Sequence, residues 1–180
     1  MSHTAAPTLD PDRRHEPRTL HLVDLDAATD AARMLVALHE RVERQLQAYE
    51  TAEGSHAGRY QAVGAIARAL ATHVAVEDEL LYPALRVHTG RHDPEIERQL
   101  AQDHLLELVL VELGGMVPSD RGYDGKVQVL VQVFRQHARD AEALLLPELR
   151  RRLSPAEREL LGRQVLERVG RLEGRPRPGW

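Results

Sequence analysis

The chain has 180 residues, 42% of them hydrophobic and only 3% aromatic, with a formal net charge of -4; this is enough apolar material for one good core but too little for a second large domain. Cysteine is absent, which removes disulfides, thiolate metal sites, iron–sulfur clusters and cysteine nucleophiles, so any metal must be held by nitrogen and oxygen. The mildly acidic pI near 6.2 gives no global electrostatic reason to expect nucleic acid, and no apolar run approaches the ~18 residues of a membrane helix.

In chain order, residues 1–19 are rich in Pro, Asp, Arg and His, which predicts a disordered tail. They lack the apolar core of a signal peptide, and a cytoplasmic protein is expected. From about residue 26 to 52 the pattern is helical: Leu35, Leu38, Val42, Leu46 and Tyr49 recur at spacings of three and four, with His39 inside the stripe. A second helix is expected over about 56–88, its inward face reading Val63, Ile66, Leu70, His73, Glu77, Leu80 and Leu81, with Pro83 kinking or thinning it near its end. Asp93 and Pro94 read as N-cap and first residue of a third helix, to about Val117, with Ile96, Leu100, His104, Leu108 and Val111 on one face. After a turn rich in Gly and Pro, a fourth helix over about 123–153 presents Val127, Leu130, Val133, Phe134, His137, Ala141 and Leu144. Ser154-Pro155-Ala156-Glu157 matches a capping box and opens a short fifth helix to about Leu172, with Leu160, Leu161, Val165 and Val169 as its stripe. The expected organisation is therefore all-α: a tail at 1–19, an up-down four-helix bundle over 20–153, and an accessory helix and tail over 154–180.

The stretch His73 to Pro83 recurs in weakened form at His137 to Pro147, and His39 to His73 spans 34 residues where His104 to His137 spans 33. Two similar helical hairpins make a bundle of pseudo-twofold character. A lone histidine on an apolar stripe is usually a core residue hydrogen-bonded to a neighbour. Four of them at matching heights, with Glu77 one turn from His73, would leave several buried polar groups unpaired at about 1–3 kcal/mol each. Metal coordination resolves that conflict, and neutral imidazole with carboxylate suits iron, zinc or manganese.

His39, the His73-x-x-x-Glu77 motif ending in Leu-Tyr-Pro, Asp103-His104, and His137 with Pro147 ten residues on resemble the hemerythrin HHE cation-binding domain family over about residues 26–150. The resemblance implies an up-down bundle around a non-haem di-iron centre of two iron ions cycling between Fe2+ and Fe3+, oxo- or hydroxo-bridged, that binds dioxygen or a related small ligand. Carried onto this chain, the metal ligands are His39, His73, Glu77, His104, His137 and Glu142. Two departures matter. Ala141 stands four residues after His137, where many such domains have Glu. Glu142 is five residues on, about 140° off the histidine in a regular helix, so it needs either its longer side chain or a π-bulge around Ala141 to reach the metal, with Asp140 the backup. Leu108 stands where oxygen carriers have a further histidine, so five-histidine carrier chemistry is not expected, and about two coordination positions are left open. Tyr82, Glu43 and Glu107 are candidates for outer-shell roles.

Three classes of function follow: a binder of dioxygen, peroxide or nitric oxide in oxygen or redox sensing or iron handling; a di-iron enzyme decomposing peroxide or reducing nitric oxide; and a helical interaction module whose metal is structural or lost. The run Arg150-Arg151-Arg152 is interleaved with acids before and after it, which reads as a solvated face, so neither nucleic acid nor membrane is an expected partner. A monomer or homodimer is expected.

Overall fold

The computed structural model describes residues 30–51, 56–90 and 92–174, and the expected tail at 1–19 lies outside the described residues. Helix α1 is Ala31–Thr51, opened by Asp30, whose side chain accepts from the Ala32 backbone N–H at 2.9 Å. Helix α2 covers 56–89 in three continuous segments, His56–Val76, a π-helical turn Glu77–Leu81, and Tyr82–Thr89. Helix α3 is Pro94–Gly114, with Asp93 accepting from the Glu95 and Ile96 backbone N–H groups, and it stops at Gly114 rather than at Val117. Helix α4 covers 123–152 as Tyr123–Asp140, a π-helical turn Ala141–Leu145, and Leu146–Arg152. Helix α5, Pro155–Leu172, begins with the complete Ser154–Glu157 capping box.

Both π turns have a local cause. A proline offers no N–H and its ring clashes with the carbonyl four residues earlier. Pro83 and Pro147 each follow their π turn by two residues, and the widened turn is closed by bonds from Tyr82 N to Glu77 O and from Leu146 N to Ala141 O. The extra residue in each turn re-aims the side chains around it.

The four long helices run alternately up and down, and the chain's passage through the core makes this explicit. One apolar cluster holds Leu35 and Leu38 of α1, Val76 and Leu81 of α2, Ile96 of α3 and Leu145 of α4. The other holds Val42 and Leu46, Ile66 and Leu70, Leu106 and Leu113, and Leu130 and Phe134. Each helix crosses between them, and the crossing points are His39, His73 to Glu77, Asp103 and His137, all buried. A polar layer thus divides the core in two. Glu43 and Glu50 of α1 grip Arg135 of α4, with Arg135 Nη2 2.7 Å from Glu43 Oε1. The bidentate fit of guanidinium to carboxylate ties the outer helices together.

The apolar stripes expected for α1, α2 and α4 are largely the buried ones. That of α3 is not: its buried face is Ile96, Gln99, Asp103, Leu106, Val109 and Leu113, while Leu108 and Val111 are exposed by 49% and 76%. The face was misplaced because its interior carries Gln99 and Asp103 and its exterior carries leucines, so apolar periodicity points the wrong way. In α5, Leu161, Val165 and Val169 are buried on the first apolar cluster and Leu160 is 51% exposed. Arg158 to Asp30 (2.8 Å) and Arg168 to Glu79 (2.6 Å) pin the helix across α1 and α2. Leu161→Ala should therefore lower the unfolding free energy of the metal-free protein by about 2–5 kcal/mol, the usual cost of a buried leucine truncation, as read by urea denaturation.

Candidate metal centre

The centre of the polar layer is Glu77, a carboxylate with no exposed surface, at the start of the π turn in α2. Its Oε2 lies 3.2 Å from His73 Nε2 and 3.2 Å from His137 Nε2. Those two ring nitrogens, brought together from α2 and α4, are 2.9 Å apart. On the other side, Glu77 Oε1 stands 4.0 Å from His39 Nε2 of α1. The three imidazoles meet edge to face, with centroids 4.9–5.8 Å apart, and Phe134 floors the site with its ring centre 5.9–6.2 Å from all three. His39, His73, Glu77 and His137 offer donor atoms that all lie within 4.8 Å of one another, close enough to hold a metal ion.

Around this cluster stand three further groups. Tyr82 Oη is 2.9 Å from Glu77 Oε2 and 2.7 Å from Asp103 Oδ2. Asp103 Oδ1 in turn faces His137 Nδ1 at 3.3 Å. Glu142, the second residue of the α4 π turn, accepts from His39 Nδ1 at 2.9 Å, and its side chain is 45% exposed. Of the two ways considered for Glu142 to approach the centre, the π turn at Ala141 is present, and it carries Glu142 to the outer nitrogen of His39 rather than into the cluster.

The electrostatics follow from burial opposed by neighbours. Burial lowers His73 from an ordinary 6.5 to about 4, against the pull of Glu77. Burial pushes Glu77 upward, but His73 and His137 outweigh it and hold the carboxyl well below its usual range. Burial likewise opposes the charged form of His137, yet Glu77 and Asp103 carry it above its usual value. Asp103 is pushed up to about 8 by burial first and by the Glu77 charge second. Burial and both carboxylates raise the Tyr82 phenol, so it stays protonated. A phenol has one hydrogen and two carboxyl groups beside it here. The proton retained by Asp103 is what lets the trio of Glu77, Tyr82 and Asp103 pack without a bare repulsion. Glu142 is lowered by the hydrogen bond from His39.

Of the six expected ligands, the structure brings together His39, His73, Glu77 and His137, and sets Glu142 at the edge against His39. His104 it does not: that residue lies on the exposed side of α3, one position beyond the buried Asp103. Asp140 is turned away too, accepting from Gln102 (3.2 Å) and Gln136 (2.7 Å). Glu43 is engaged by Arg135, and Glu107 is exposed. Tyr82 is fully buried and bonded to Glu77, which matches the outer donor role. Asp103 as the contribution of α3 was missed; the available signal was the 3-4-3 spacing Ile96, Gln99, Asp103, Leu106, legible only if polar residues are admitted to a buried stripe.

A test of fit comes from the polar atoms left over. Among the described residues, His39 Nε2, His73 Nδ1, Glu77 Oε1, Asp103 Oδ1 and His137 Nδ1 are buried without a hydrogen-bond partner. Two of these, His39 Nε2 and Glu77 Oε1, face each other across the cluster at 4.0 Å, a separation too long for a hydrogen bond and suited to a cation between them. Nitrogen and oxygen donors of this kind suit a transition metal of intermediate softness.

Residues 30–149 match the hemerythrin HHE cation-binding domain family. No curated protein matches the chain in sequence. A crystal structure of a hemerythrin HHE cation-binding domain-containing protein from Mycobacterium kansasii superposes with a TM-score of 0.70 at 24% identity, covering 81% of this chain and 88% of that one, a likeness of fold.

The histidine shifts give a pH dependence with a defined sign. His73 takes up a proton at about 6.5 when unfolded and about 4 when folded, so between these values the unfolded chain binds more protons and stability falls as pH falls. The depressed Glu77 adds in the same direction at lower pH, and the raised His137 partly offsets both by favouring the folded form in acid. Asp103, raised from 3.8 to about 8, acts the other way, because between those values the folded form holds the proton and gains stability as pH falls. His73→Leu should therefore raise the urea midpoint at pH 5 relative to that at pH 7, because the group that refuses the proton is gone and the opposing shifts of Asp103 and His137 remain. The match over residues 30–149 places this chain in the hemerythrin HHE cation-binding domain family.

Proposed function

We propose that this chain is a non-haem iron protein that holds two iron ions in its polar layer and binds dioxygen or a related small ligand such as peroxide or nitric oxide, in oxygen or redox sensing or iron handling. The observation that carries the reading is the placement of Glu77: Oε2 serves the His73 and His137 nitrogens at 3.2 Å, while Oε1 is turned toward His39. A carboxylate with imidazoles facing both of its oxygens would be able to serve two metal ions at once. His39, His73, His137, Glu77 and Glu142 are the proposed ligands. When bound, an iron pair supplies open coordination positions and one-electron redox change to a small ligand.

The chain's own residues set the conditions for that chemistry. Phe134 and the two apolar clusters exclude water from the floor and ends of the site. Tyr82 and Asp103 keep a proton each beside Glu77. This held proton favours a second reading, turnover of peroxide or nitric oxide, because reducing either one takes up protons, which in peroxide disproportionation the oxygen-releasing half returns.

Metal analysis of protein expressed with iron should give about two iron atoms per chain and the near-ultraviolet absorption of an oxo-bridged ferric pair. Glu77→Ala should lose most of that iron. A stoichiometric, colourless zinc protein would instead support a structural metal. Mixing the reduced protein with dioxygen should give a single spectral change that tracks bound iron. Sustained oxygen evolution from peroxide in proportion to bound iron would select the enzyme.

A further inference from the structure

Helix α5 lies beyond residues 30–149, the stretch matched by the family, yet it rests on the two helices that carry His39 and Glu77. It packs against α1, against the first segment of α2 and against the Glu77–Leu81 π turn itself. Its buried stripe of Leu161, Val165 and Val169 shares one apolar cluster with Leu38 and Val76, the residues just before His39 and Glu77, and with Leu81, the last residue of the turn. Ion pairs flank that stripe on opposite sides. Arg168 Nη2 is 2.6 Å from Glu79 Oε1, two residues past Glu77, and Arg41, two residues past His39, donates to Glu173. Both helices are thus tied to α5 within two residues of a buried donor, although α5 touches neither donor itself.

We infer that α5 is a positioning brace for the metal layer: by clamping α1 and the π turn of α2 to one rod, it sets the separation of His39 from Glu77 and keeps the turn closed. The inference rests on the metal-binding reading of that layer. The separation in question is the 4.0 Å between His39 Nε2 and Glu77 Oε1, two buried atoms without a hydrogen-bond partner, so no bond of their own fixes it. Partly exposed ion pairs stabilise little by themselves. Here the buried valines supply the attachment, and the charges on either flank fix where along α1 and α2 the helix sits. A site whose supporting packing loosens loses affinity even when every ligand is still present, and a turn released from its cover opens locally without the bundle unfolding.

The test compares the full-length protein with Val169→Ala and Arg168→Glu, which loosen α5, with the exchanged pair Arg168→Glu and Glu79→Arg, which restores opposite charges, and with Leu113→Ala, a truncation in the other apolar cluster. In the metal-free protein, amide hydrogen exchange over Glu77–Tyr82 should speed at least roughly tenfold in the first two, return toward wild type in the exchanged pair and stay unchanged in Leu113→Ala. Affinity for cobalt(II), measured by competition with a chelator, should fall at least roughly tenfold in the same two variants and recover in the exchanged pair. Wild-type exchange and affinity in both Val169→Ala and Arg168→Glu overturn the inference. So does an equal loss of affinity in Leu113→Ala at a matched urea midpoint, because overall stability then accounts for the effect. A wild type that takes up no cobalt(II) sinks the metal-binding reading instead, and the exchange comparison still decides whether α5 holds the turn.

Discussion

The structure depends on a carboxylate buried where a helical bundle would ordinarily place leucine. An isolated ion at the position of Glu77 would cost several kcal/mol, and a side chain in that position survives only by being surrounded with donors. The chain provides them from every direction: His73 one turn back on the same helix, His137 from α4, Tyr82 one π turn ahead, and His39 across from α1. Each of these needs its own partner, which draws in Asp103 and Glu142. The polar layer is in this sense nucleated by one residue. The apolar clusters above and below it provide the burial energy that lets the bundle carry so polar a middle.

The two prolines show how a local sequence feature serves the layer. In each hairpin the second helix must pass from one apolar cluster to the other while turning a carboxylate out of the regular helical spiral. Pro83 and Pro147 force the widening, and the π turns at Glu77–Leu81 and Ala141–Leu145 absorb it. The outcomes differ between repeats. In α2 the carboxylate is the first residue of the turn and faces the centre. In α4 that residue is Ala141, fully buried against the first apolar cluster, and the carboxylate follows one position later at the solvent edge. The pseudo-symmetry of the sequence is thus broken in a defined place.

Most of the fold was legible because in α1, α2 and α4 the apolar residues and the histidines share one stripe, so a single periodicity locates both core and site. The Asp93–Pro94 and Ser154–Glu157 start signals also act through their own backbone, with no help from the rest of the chain. Helix α3 was misread for the complementary reason. Its buried stripe contains Gln99 and Asp103, its exposed stripe contains Leu105, Leu108 and Val111, and only the surrounding helices decide which set turns inward. The family resemblance made His104 the natural ligand, and hydrophobic periodicity agreed with it. Both signals were one residue out of register, which on a helix is 100° of rotation.

That rotation changes what α3 does for the centre. With Asp103 rather than His104 inside, the helix presents a carboxyl group that reaches the far nitrogen of His137 and the hydroxyl of Tyr82, in place of a ring aimed at the middle of the layer. A third-helix imidazole would add one more neutral donor to a cluster already holding three. An acid instead introduces a group that must keep its proton beside Glu77, and burial together with the Glu77 charge ensures that it does. Tyr82 links Glu77 and Asp103 by hydrogen bonds, and Asp103 faces His137 across 3.3 Å, so these four side chains form one coupled polar group. Buried networks of this kind stabilise little in net terms but fix one geometry. For a cluster whose buried donor groups, His39, His73, Glu77 and His137, arrive from three separate helices, a fixed geometry is the property that lets those helices meet at a common point.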